Sequence, residues 1–184
     1  MKKYFITVLA ILMLSSFAFA QSDIGFKGVG GKLGYIMPEG DIENTIAFGA
    51  VVDLGTITPT IHLNGLFEYW GKSYDIGYYE WSWSELIFGA NAKYYLSTEG
   101  QFLPYGGAGL ALVIGSSKWD YKGPHDDFWG DSDGSDSQTD IGFFVCAGAD
   151  YPLSDKLTGF AEAKYHLNGA DFFGIFVGAV YKLK

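Results

Sequence analysis

The chain has 184 residues, with 21 Asp plus Glu against 12 basic residues, all of them Lys, and a formal charge of −9. That balance excludes a nucleic-acid partner, because phosphate recognition needs clustered positive charge. The lone cysteine, Cys146, excludes an internal disulfide and a cysteine-built zinc cage, so stability must come from burial and backbone pairing.

The chain opens with the pattern of a signal peptide over residues 1–20. Lys2 and Lys3 form a basic start, Tyr4 to Leu14 an apolar stretch, and Ala18-Phe19-Ala20 the small-x-small site that a signal peptidase accepts. The apolar stretch is too short for a spanning helix, which needs roughly 20 residues. The mature chain then covers residues 21–184 as one domain, and loss of Lys2 and Lys3 takes its formal charge from −9 to −11.

Beyond that point no segment reaches the roughly 18 apolar residues of a membrane helix. Runs of period-two alternation recur instead, in a chain rich in Gly (26), Tyr (13) and Phe (15). Eight runs are expected, over 26–36, 45–53, 59–70, 81–96, 102–114, 140–151, 157–167 and 172–183. The links alternate in length. A tight turn is expected around Leu54-Gly55-Thr56, a longer loop from Gly71 to Glu80, a short turn from Ser97 to Gln101, and a very long loop from Gly115 to Thr139. Short turns on one rim and longer loops on the other suit a transmembrane barrel.

Parity carries the strongest signal, since successive strand residues face opposite sides. In the third run His62, Asn64 and Glu68 alternate with Ile61, Leu63, Phe67 and Tyr69. In the fourth, Glu85, Asn91 and Lys93 alternate with Leu86, Phe88, Ala90, Ala92 and Tyr94. In the seventh, Glu162, Lys164 and His166 oppose Ala161, Ala163 and Tyr165. One wall is continuously apolar and the other collects the charges. A soluble barrel or sandwich would turn the apolar wall inward, whereas a membrane barrel turns it to lipid. Two features favour the second. The polar parity also holds Gly49, Gly142, Gly148, Gly174, Gly178, Phe144 and Phe176, a mixture suited to a crowded lumen. Aromatics also gather at strand ends, with all five Trp (70, 81, 83, 119, 129) on the long-loop side and Tyr94, Tyr95, Phe102, Tyr105, Tyr151 and Tyr181 near the other rim, as in two headgroup belts. The fold expected is therefore all-β, an eight-stranded antiparallel up-and-down transmembrane β-barrel. In the first strand Lys27 and Lys32 have opposite parity, so either a bulge intervenes or Lys27 snorkels at the rim; the rim is preferred.

Leu103-Pro104-Tyr105-Gly106-Gly107-Ala108-Gly109-Leu110, Phe160-Ala161-Glu162-Ala163-Lys164-Tyr165 and the final strand resemble the eight-stranded OmpA/OmpX-like outer-membrane barrel family across essentially the whole mature chain. The resemblance implies an outer-membrane location in a Gram-negative-type bacterium, contact with outer-membrane lipid and lipopolysaccharide, and assembly by the barrel-assembly machinery. Gly178, Tyr181 and Leu183 are similar to the family's C-terminal assembly signal. The chain departs from it with Phe176 at a usually polar position and Lys184 at the end.

An eight-stranded barrel is wide enough only for its own side chains, and unpaired buried charge is costly. Lys32, Glu68, Glu85, Lys93, Glu162, Lys164 and His166 are accordingly expected to form an interior polar network. His166 has no Ser where a lipid A deacylase barrel places its nucleophile, so no catalytic residue is assigned. Asp131, Asp133 and Asp136, in an acidic loop with Gly134, form part of a Ca²⁺-loop pattern without its terminal bidentate Glu, and are a candidate metal site; no other cofactor is expected. Function is read as a structural or surface-interaction role through acidic, aromatic loops facing an unidentified extracellular partner. A narrow porin-like channel and a soluble periplasmic ligand-binding barrel are the alternatives.

Overall fold

The computed structural model describes residues 22–96, 98–122, 134–167 and 171–183. They form eight antiparallel strands: β1 (Asp23–Pro38), β2 (Thr45–Thr58), β3 (Ile61–Ile76), β4 (Tyr79–Tyr95), β5 (Leu103–Tyr121), β6 (Gly134–Ser154), β7 (Leu157–Leu167) and β8 (Phe172–Lys182). Each strand pairs with the next, and β1 pairs with β8 from Gly28–Lys182 to Pro38–Phe172, so the sheet closes into a barrel. The expected signal peptide and the Asp131 and Asp133 candidates lie outside the described residues.

The register fixes the barrel's dimensions. Paired residues followed once around run Gly28, Asp53, Asn64, Asn91, Gly109, Phe144, His166, Phe172 and Pro38, returning to β1 ten residues beyond the start. With eight strands that stagger tilts them by about 40° and leaves an interior only wide enough for side chains. On β4 the outward positions from Leu86 to Tyr94 are all apolar and, at this tilt, rise roughly 20–25 Å, close to the apolar band of a membrane barrel. The outward surface exposes Ile46, Leu33, Leu110 and Ile141 at 60–70 %. A water-facing wall of such residues would exceed the apolar patches that soluble monomers carry.

Several strands run further than alternation alone indicates. The expected loop from Gly71 to Glu80 is a continuation of β3 and β4, closed by a two-residue turn at Gly77-Tyr78, where Gly77 takes φ 69°. β5 and β6 likewise advance to Tyr121 and from Gly134 into the expected 115–139 loop. The expected turn at Gly55 is instead a register shift within β2, with Gly55 at φ 86° and its N–H bonded to Asp53 Oδ1 at 2.8 Å; the chain turns at Pro59-Thr60. A register shift also separates Ile24 from Gly28, which reconciles the opposite parities of Lys27 and Lys32, while Lys27 at the strand end pairs with Asp23 at 2.6 Å.

Interior glycines make the lumen fit. A Cβ on Gly109 would lie 2.4 Å from the Phe144 ring and 2.4 Å from the Ala90 carbonyl oxygen, whereas one on Gly106, facing outward, meets nothing within 4 Å. Gly109→Val is therefore expected to abolish the folded form, and Gly106→Val to keep it. Gel mobility of unboiled and boiled protein in detergent checks this, and equal behaviour of the two variants would contradict the packing described.

Candidate functional site

The alternation that clothes the barrel in apolar side chains turns three Lys and three Glu inward: Lys32, Lys93, Lys164, Glu68, Glu85 and Glu162 are all buried. Their formal charges cancel, which is what a low-dielectric interior requires. They are arranged in tiers along the axis.

The central tier is a carboxylate shared by two ammonium groups. Glu68 on β3 receives Lys32 of β1 on Oε1 at 2.5 Å and Lys164 of β7 on Oε2. The bridge ties three separate strands across the lumen. Aromatic faces complete the cations' surroundings: Lys32 Nζ lies 4.5 Å from the Phe176 centroid, and Lys164 Nζ lies 4.9, 5.1 and 5.5 Å from those of Phe176, Phe144 and Phe172. Phe176, the residue at odds with the assembly-signal pattern, thus faces inward as a lid against both lysines.

Toward the rim that holds the chain ends, Glu162 Oε2 accepts the Tyr105 hydroxyl at 2.9 Å and pairs with Lys93 at 3.4 Å, while Lys93 sits 4.0 Å over the Tyr105 ring. Asn91 Nδ2 contacts the Cys146 sulfur at 3.6 Å, which makes Cys146 a small interior residue. Below this tier a vestibule of ≈ 420 Å³ opens at the rim, lined among others by Asp53, His62, Asn64, Tyr95 and Asp150. The Tyr95 hydroxyl donates to Asp150 Oδ2 at 2.6 Å.

At the loop-side end, His166 is stacked between Phe172 (5.1 Å, 5°) and Phe144 (5.8 Å, 13°), with no hydrogen-bond partner on either ring nitrogen among the described residues. Gly142 opposite leaves the room it needs, since a Cβ there would lie 2.4 Å from the imidazole Cε1. His166 thus acts as a planar filler beside the ion pairs, not as a hydrogen-bonded link in them. Trp70 packs edge-on against Phe172 at 6.0 Å and is buried.

Trp70, Tyr95 and Tyr105 therefore belong to the filled interior and not to the headgroup belts expected for them. Their parity could have signalled this, because each shares a face with Glu68, Lys93 or Gly107. Outward aromatics near the rims are Tyr35, Phe48, Tyr69 and Phe173 on one side and, on the other, Phe26 together with the expected Tyr94, Phe102, Tyr151 and Tyr181.

Above the apolar band the two faces exchange character without a break in register. Outward positions change from Tyr69, Leu86 and Ile114 to Ser73, Ser82, Ser84 and Ser116, while the inward parity becomes aromatic with Tyr74, Tyr79, Trp81, Trp83, Trp119 and Tyr121. Tyr74 stacks on Trp81 (5.4 Å, 27°), Tyr79 meets Tyr121 at 5.0 Å, and Trp81 Nε1 donates to Ser117 Oγ at 3.0 Å. The projection of β3 to β6 is thus a hydroxyl-coated sheet with an aromatic inner face, spanning residues that alternation alone assigns to two loops. Asp136 lies exposed on it, its carboxylate turned to the Ser137 amide at 3.0 Å. Among the described residues no group of three or more metal-ligating side chains comes together.

A sequence model of the outer membrane protein beta-barrel domain matches residues 6–182. No curated protein sequence matches the chain. Among solved structures, Neisserial surface protein A is similar with a TM-score of 0.61 at 16% identity, covering 85% of this chain and 96% of that one. A major outer membrane protein from Thermus thermophilus is similar at 0.60 and 12% identity, over 85% and 98% of the two chains. Ail, the attachment invasion locus protein of Yersinia pestis, solved in complex with the heparin analogue sucrose octasulfate, is similar at 0.57 and 15% identity, over 86% and 97%. At these identities the likeness is one of fold.

The central tier yields a direct test. Glu68→Ala leaves two buried ammonium groups facing each other and is expected to lower stability by about 3–5 kcal/mol, whereas Lys156→Ala at an exposed turn should stay within about 0.5 kcal/mol. Urea unfolding of the barrel in detergent micelles measures both, and an unchanged Glu68→Ala midpoint would contradict the shared-carboxylate bridge.

Proposed function

The chain belongs to the family of outer membrane proteins with a beta-barrel domain, in the outer membrane of a Gram-negative-type bacterium, and we propose that it is a non-conducting barrel that holds out a surface for interaction with an extracellular partner. The observation that carries this is the projection of β3 to β6: paired backbone continues well beyond the apolar band, and its inner face presents aromatic side chains, with Tyr79 54 % and Trp119 42 % exposed. Tyr and Trp give large contact area at small entropic cost, which is why they dominate binding hot spots.

The filled interior supports the non-conducting half of the proposal. Ion pairs and Phe rings occupy the lumen at mid-height, and the vestibule below them is open at one rim only as far as Lys93 and Phe160. The burial of His166 between two Phe rings argues against an acyl-hydrolase role, because an imidazole inside the barrel does not meet lipid on its outer wall. Export by the segment 1–20 and insertion by the barrel-assembly machinery complete the proposed route.

Charge narrows the partner. At the outer end Glu39, Asp41, Asp75, Asp120, Asp136 and Asp171 outnumber the lysines Lys72, Lys118 and Lys122. A polysulfated ligand such as the one bound by Ail is therefore disfavoured here, and a neutral or basic partner is favoured.

Intact cells displaying the protein, probed with a panel of neutral glycans and extracellular matrix proteins, test the proposal. Wild type should capture at least one member, and the double substitution Tyr79→Ser with Trp119→Ser should weaken that capture at least about tenfold while the barrel stays heat-modifiable on gels. Capture of no member, or equal capture by the double variant, would contradict it.

A further inference from the structure

The inner face of the projection has a direction as well as a composition. Paired neighbours on one rung are Lys72, Trp83, Ser117 and Asp136, and on the rung above Tyr74, Trp81, Trp119 and Gly134. The face therefore runs from a lysine on β3, across aromatic rings on β4 and β5, to β6, where Asp136, Gln138 and Asp140 share the inward parity.

The tryptophans lean along that direction. Trp81 Nε1 donates to Ser117 Oγ on β5 at 3.0 Å, and a Cβ on Gly115 of β5 would lie 3.1 Å from Trp83 Cζ2. A Cβ on Gly134 would lie 2.3 Å from both Cε2 and Cζ2 of Trp119, so this indole takes the place of a β6 side chain. Glycine at 134 thus brings the exposed Trp119 ring onto the strand that carries Asp136.

The β3 edge shows what such a ring and carboxylate hold. Lys72 Nζ lies 5.8 Å from the Tyr74 centroid and 2.8 Å from Glu43 Oε2, an ammonium placed between a ring and a carboxylate. At the β6 edge the same two groups recur as Trp119 and Asp136. Lys118 has the outward parity of β5, and Lys122 pairs with Glu80. Among the described residues no lysine pairs with Asp136 or Asp140.

Charge decides between ligands. A neutral saccharide stacked on Trp119 would leave Asp136 unmatched, whereas a cation satisfies ring and carboxylate together. Of the two side-chain cations, the guanidinium is the planar one, which stacks on an aromatic face and offers a fork of N–H donors to a carboxylate. We propose that the β6 edge of the aromatic face binds an arginine of an extracellular protein segment, its guanidinium on the Trp119 ring and paired with Asp136. The site deepens the surface-interaction reading above and rests on it.

Fluorescence anisotropy with the full chain in zwitterionic detergent micelles tests it, with labelled hexa-arginine, labelled hexa-lysine and an unlabelled N-acetylglucosamine hexasaccharide as probes. Wild type should bind hexa-arginine, bind hexa-lysine about three-fold or more weakly, and show no competition from the hexasaccharide. Asp136→Asn and Trp119→Leu should each lower hexa-arginine affinity about five-fold or more. Asp155→Asn makes the same change in net charge at the exposed β6–β7 turn and should retain full affinity. Undiminished binding by Asp136→Asn or Trp119→Leu in a heat-modifiable barrel would overturn the site, as would an equal loss in Asp155→Asn. Equal binding of hexa-lysine, or competition by the hexasaccharide, would overturn the guanidinium assignment. A barrel that captures a partner on cells but binds no hexa-arginine would overturn this inference alone, while capture of no partner overturns the broader reading, so the two fail separately.

Discussion

In hydrocarbon no water is available to a backbone N–H or carbonyl, so a strand-built protein must leave no edge, and closure of β1 on β8 meets that demand. The remaining features follow from closure with eight strands. A stagger of ten residues sets the tilt, the tilt sets the radius, and the radius leaves a lumen that side chains alone can fill. Because alternation sends every second residue into that lumen, charges kept off the lipid wall are forced together inside. The Lys32–Glu68–Lys164 bridge and the Lys93–Glu162–Tyr105 tier are the outcome of that crowding.

The filling is as much aromatic as ionic. Phe144, Phe172 and Phe176 surround the Lys164 ammonium, and the interior glycines Gly109, Gly142 and Gly174 occupy positions where a side chain would collide with a ring. Small and large residues therefore interlock at fixed register positions, and the cations are stabilised by ring faces as well as by carboxylates. The same device accounts for His166, whose ring is parallel to both of its Phe neighbours. Above the membrane the solvent changes and the faces trade roles: hydroxyls and charges coat the outside, and aromatics line the inside. Lipid height is thereby marked on the strands at Tyr69, Leu86 and Ile114.

Strand number, pairing order and the inward set of charges were legible in the sequence because each depends only on period-two alternation. Lys32, Glu68, Glu85, Lys93, Glu162, Lys164 and His166 share the polar parity and are all buried. Which glutamate meets which lysine was not legible. Glu68 is 36 residues from Lys32 and 96 from Lys164, and only the stagger of the closed barrel brings them level. The belt expectation fails for Trp70, Tyr95 and Tyr105, and for Trp81, Trp83 and Trp119, because nearness to a strand end does not decide the face and parity does. The lengths of β3 to β6 were missed because the apolar-out pattern stops at Gly71 and Gly115 while backbone pairing continues.

The central claim is that the lumen is closed at mid-height by its own side chains. Single-channel recording of the purified full chain in a planar lipid bilayer tests it most directly. The account predicts a flat current trace under applied voltage, with no unit steps. Regular, voltage-sustained steps of one size from the folded, heat-modifiable barrel would show an open path past Glu68 and contradict it.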